Sequence, residues 1–134
     1  MPPEFDLNPS EKAGPRLNVL KKLLKDKTVT EVVNACLLLI ENPAATFAVR
    51  IAGESMTGAG LYPGDIAVVN RARAPVSGNV ILALVDGDFT IKRHRKRGAH
   101  IRLTAENPKF SDIMISEGAT FEVWGVVTHS IRML

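Results

Sequence analysis

A serine on a glycine-flanked turn, Gly53-Glu54-Ser55-Met56, is followed 37 positions later by a lysine in the strand-like run Asp88-Phe89-Thr90-Ile91-Lys92-Arg93. Ser55 and Lys92 are the two parts of a serine–lysine nucleophilic dyad, a pairing suited to peptide-bond hydrolysis. A hydroxyl is a weak nucleophile at neutral pH and needs a base within hydrogen-bond reach, and lysine serves only after losing its proton. Exposed lysine titrates near ~10.4 and a useful base near roughly 7 to 8, so the required shift of about three units costs roughly 4 kcal/mol. Desolvation in an apolar pocket is the available source. Phe89, Ile91 and the upstream run Val80-Ile81-Leu82-Ala83-Leu84-Val85 could build that pocket. In isolation, a serine and a lysine at this separation more often belong to a surface turn and a solvated hairpin.

The surrounding words narrow the choice. Leu38-Leu39-Ile40-Glu41-Asn42-Pro43 leads into Gly53-Glu54-Ser55-Met56, then Pro63-Gly64-Asp65, Val85-Asp86-Gly87-Asp88 running into the lysine segment, Glu106-Asn107-Pro108, and Val123-Trp124-Gly125-Val126-Val127-Thr128-His129. This succession resembles the LexA/UmuD family of self-cleaving serine–lysine peptidases, UmuD more closely than LexA, over about residues 37 to 131. The resemblance implies Ser55 as nucleophile and Lys92 as general base. It further implies the main-chain N–H groups of Glu54 and Ser55 as oxyanion donors, and Met56 as a cleft-lining residue. The implied fold is mainly β, a strongly bent antiparallel sheet domain preceded by short helices and a flexible arm. The implied function is in the bacterial SOS response to DNA damage. A RecA nucleoprotein filament would stimulate self-cleavage of the arm, and the shortened homodimer would join a UmuC-like translesion DNA polymerase.

The family cuts between a small residue and glycine, which points to Ala13-Gly14, although Gly14 lies 41 residues before Ser55, farther than the family pattern suggests. Two other readings stand beside this one: a non-catalytic polymerase-binding subunit, and the C-terminal peptidase and dimerisation half of a phage-type repressor. The roughly 40 residues ahead of the peptidase words are short for a helix-turn-helix reader plus an arm, so no sequence-specific DNA binding is expected.

Composition fits one soluble domain: 134 residues, 46% hydrophobic, net charge +3. The single Cys36 offers no intramolecular disulfide. No apolar run approaches the ~18 residues of a membrane span and the N-terminus has no signal-peptide core, so a cytoplasmic location is expected. Bacterial signal peptidases also pair Ser-Met with a lysine, but they carry a membrane anchor. No cofactor or metal is expected: Gly58, Gly60 and Gly64 do not form a phosphate loop, and His94, His100 and His129 have no ligand spacing. The run Lys92-Arg93-His94-Arg95-Lys96-Arg97 reads first as a solvated hairpin tip, and second as a patch for nucleic acid or an acidic surface.

The chain divides into residues 1–42, a regulatory arm with short helices, and 43–134, the peptidase domain. Residues 1 to 16 are rich in proline and charge and read as an unpacked mobile arm. Leucine spacing predicts helices over 17–27 and about 32–40. Strands are expected at Phe47–Ile51, Ile66–Asn70, Asn79–Val85, Phe89–Lys92, Ile101–Ala105 and Glu122–Ile131, with Asp86-Gly87 as a hairpin turn. The apolar run Val123 to Ile131 is the candidate for pairing across a two-fold axis.

Overall fold

The computed structural model describes residues 6–7 and 40–134. The expected helices, Cys36 and the Ala13-Gly14 bond fall outside these residues. Among the described residues eight strands occur: β1 (Asp6–Leu7), β2 (Thr46–Arg50), β3 (Ile66–Asn70), β4 (Val80–Val85), β5 (Asp88–Arg97), β6 (His100–Thr104), β7 (Ile113–Ile115) and β8 (Phe121–Ile131). They form one sheet in the order β1-β2-β3-β8-β4-β5-β6-β7, every pairing antiparallel. The protein is therefore mainly β, as its turn-punctuated short apolar runs require.

The unbroken apolar run of β4 has a direct cause. Ile81 and Ala83 point into one core cluster with Leu103 and Val126, while Leu82 points into the other with Phe47, Val49, Ile51 and Val69. A strand buried on both faces has no polar side to alternate with. β8 does the same for two partners: its first half pairs with β4 and its second half with β3. Register shifts at Val68/Val69 and Leu82/Ala83 add the local bend and twist that a bulge brings. Gly125 sits at this junction, where a Cβ would lie 2.6 Å from Val69 Cγ1 and 2.9 Å from the Asn70 carbonyl oxygen. Only glycine fits there.

The Asp86-Gly87 turn has positive φ at both residues, 47° and 89°, which a two-residue hairpin of the primed type demands. It folds β5 back on β4 and sets Lys92 opposite Ile81.

Three expectations need correction. The basic run is not a hairpin tip: β5 continues through it to Arg97, its backbone paired with β6, and the turn comes at Gly98 and Ala99. His94 within that run is 3% exposed. β7 was not anticipated, its three residues being too few to show alternation. Part of the arm is also packed, since Asp6 and Leu7 pair with Val49 and Ala48 at the edge of the sheet.

Candidate active site

The turn that carries Ser55 is held both by its own main-chain bonds, such as Thr57 N–H to the Glu54 carbonyl at 3.4 Å, and from outside. Glu106 N–H donates to the Ser55 carbonyl at 2.9 Å, Gly58 N–H donates to the Glu106 carbonyl at 2.7 Å, and Asn107 Nδ2 donates to the Glu54 carbonyl at 2.9 Å. A Cβ on Gly58 would run into the Glu106 carbonyl, so glycine permits this approach. On the other flank, buried Asp65 accepts from Tyr62 N–H and from Arg132, and Arg132 also donates to the Gly60 carbonyl. These contacts hold the Asp65 carboxyl down at about 2, the hydrogen bond from Arg132 contributing most.

Lys92 reaches the serine from β5. Its Nζ lies 2.8 Å from Ser55 Oγ, 2.7 Å from Thr90 Oγ1 and 3.2 Å from the Ile91 carbonyl oxygen. The side chain is 9% exposed, and burial pushes its pKa below the usual lysine range of 10.5. The three neighbours match both protonation states. The ammonium donates to all three. The neutral amine donates to Thr90 and Ile91 and turns its lone pair to the Ser55 hydroxyl, the geometry of a general base.

Both side chains face a cleft of about 310 Å³ whose walls include Ile51, Met56, Leu82, Phe89, Ile91 and Phe110. Its apolar lining supplies the desolvation that Lys92 registers. Met56 is 2% exposed beneath the serine. Among the described residues, the N–H groups of Glu54 and Ser55 meet no backbone acceptor. The sequence reading thus named five residues, Gly53 to Met56 and Lys92, that share this cleft. It assigned no role to Thr90, whose signal was its position two residues before Lys92 on the same strand face. Nor did it assign one to Glu106 and Asn107, which it quoted only as a motif. Among the described residues no group of three or more His, Cys, Asp or Glu could hold a metal, and no helix is long and apolar enough to cross a membrane.

The candidate for two-fold pairing changes character. β8 lies inside the sheet, Val126 is 2% exposed in the chain's own core, and Thr128 Oγ1 lies 3.4 Å from the Val68 carbonyl. Along the strand, Ser130 and Ile131 are exposed, and Val123, Val127, Thr128 and His129 are half-buried.

A β domain in which a serine and a desolvated lysine meet in an apolar cleft holds the parts that a serine nucleophile with a lysine base requires. Residues 12–128 match the model of the Peptidase S24-like family, and the chain belongs to that family. Protein ImpA of Salmonella typhimurium is 43% identical over 95 residues, covering 69% of this chain and 63% of the relative. Protein SamA of Salmonella typhimurium strain LT2 is 40% identical over 93 residues, 69% of this chain and 64% of the relative. The LexA repressor of Cupriavidus taiwanensis is 38% identical over 86 residues, 64% of this chain and 40% of the relative. The chain thus spans less than two thirds of the length of each.

Proposed function

We propose that this protein is a self-cleaving serine–lysine peptidase that cuts its own N-terminal arm. The carrying observation is the 2.8 Å contact of Lys92 Nζ with Ser55 Oγ inside a cleft that desolvates the lysine. Ser55 Oγ attacks the scissile carbonyl carbon while its proton passes to the neutral amine of Lys92. The N–H groups of Glu54 and Ser55 receive the developing oxyanion. The Lys92 ammonium then returns a proton to the leaving amine, and the ester is hydrolysed by a water that Lys92 deprotonates in turn. Ala13-Gly14 is the proposed bond. Strand β1 runs antiparallel to β2, so from Asp6 to Leu7 the chain moves away from the cleft end of β2. Cleavage within one chain would require the arm to return toward the cleft, whereas cleavage of a neighbouring subunit's arm would not.

The cellular role proposed is UmuD-like: a cytoplasmic homodimer of the SOS response, cleaved under stimulation by a RecA filament, whose product serves a translesion polymerase. Higher identity to ImpA and SamA than to LexA repressor supports this over a repressor half. The test is the mass of the purified protein over hours at mildly alkaline pH. Wild type should yield a new N-terminus at Gly14, and Ser55→Ala should stay intact and folded. Equal cleavage in both would reject the assignment.

A further inference from the structure

The far end of β5 carries a second feature. Arg95 and Arg97 lie on the strand face opposite Lys92 and His94, and their partners across the ladder are Arg102 and His100. An arginine directly opposite an arginine is a cross-strand pair that destabilises a sheet. Such a local conflict marks a place where sequence serves something other than folding. Among the described residues no carboxylate pairs with Arg95, Lys96 or Arg97. Arg102 meets Asp112 at 3.7 Å with both side chains about half exposed, a contact worth little. These cations rim a hollow of about 490 Å³ next to Ser77 and Met114.

We propose that this hollow binds the phosphate backbone of single-stranded nucleic acid without reading its bases. Guanidinium forks match phosphate oxygens two at a time, and alternate residues of one strand repeat about every 6.6 Å, a ladder suited to successive phosphates. The lining argues against a protein partner. Met114 is its only apolar side chain, whereas a protein interface needs a desolvated aromatic or aliphatic centre. Nucleic-acid interfaces are strongly basic, and Arg95, Lys96, Arg97 and Arg102 supply that charge here. A hollow also favours a flexible strand over a duplex, whose phosphates sit on a stiff rod. With no Phe, Tyr or Trp in the lining, a broad stacking platform is missing, and little sequence preference is expected.

Fluorescence anisotropy of a labelled 20-nucleotide mixed-sequence single strand tests this. If four phosphates are engaged, affinity should fall about 50-fold between about 50 and 200 mM salt. The double variant Arg95→Gln/Arg97→Gln should weaken binding at least about tenfold at the lower salt and reduce the log–log salt slope by about 1.4. Arg95→Lys/Arg97→Lys should keep the slope. The glutamine variant should melt no lower than wild type, since it relieves the Arg95–Arg102 repulsion, so lost binding will not reflect lost folding. Binding that ignores these substitutions, tighter binding of the matching duplex, or equal displacement by polyglutamate would each overturn the proposal.

Discussion

The two halves of β5 put the same kind of side chain to opposite uses. At its inner half Lys92 is buried against an apolar cleft, which lowers its pKa and readies it to take a proton. At its outer half Arg95 and Arg97 stand exposed to solvent. Six basic residues in a row look uniform in sequence. What separates them is which face each takes and how far the cleft wall extends along the strand, so burial, not residue class, decides between base and anion binder.

Making the inner half resemble the outer is the sharpest way to break this contrast. Lys92→Arg keeps a cation beside Ser55 but removes any accessible neutral form, so self-cleavage should fall by about 10⁴-fold or more, read as intact mass over days. In wild type, cleavage should rise about tenfold per pH unit up to the lowered Lys92 pKa and then level off below 10.5. A rate flat across that range would show that Lys92 is not the base. Thr90→Val removes one acceptor of the lysine N–H. Two effects should follow: a plateau rate about tenfold lower, because the amine is less well aimed, and a pH midpoint moved further down, because the ammonium has lost a hydrogen bond. A merely structural role for Thr90 would leave the midpoint where it is.

The smallest effect concerns stability. Because burial depresses the folded-state pKa of Lys92, the unfolded chain binds more protons between that value and 10.5, and stability should rise with pH across this window. Below it the penalty is fully present. Lys92→Met should therefore raise the melting temperature at neutral pH by a few degrees, a gain of about 1 kcal/mol, and the gain should shrink as pH approaches 10.5. A melting temperature below wild type at pH 7 would contradict the burial account.

Much of this was legible in the sequence, for identifiable reasons. The strands β2, β3, β4, β6 and β8 announce themselves as β-rich runs between turn residues, and Asp86-Gly87 states its own turn type. The outer half of β5 did not, because an unbroken run of basic residues hides the alternation that marks a strand, while backbone pairing to β6 proceeds regardless of it. Ser55 and Lys92 were visible as residue types in a familiar order. Thr90, Glu106 and Asn107 were not, since their roles come from contacts formed only when distant segments meet. The inward position of Val126 was hidden too: an apolar strand reads alike at a core and at an interface.

The clamp on the serine turn also fixes a schedule. Ser55 is translated well before Lys92, the Glu106-Asn107 clamp follows, and Arg132, which braces the turn from the other side, comes later again. At about 5–20 residues per second, a nascent chain spends several seconds with its arm and its serine exposed but without the parts that make the serine reactive. Release of Gly14-initiated product from ribosome-bound chains that stop before residue 106 should be undetectable, and its appearance there would show that the turn needs no clamp.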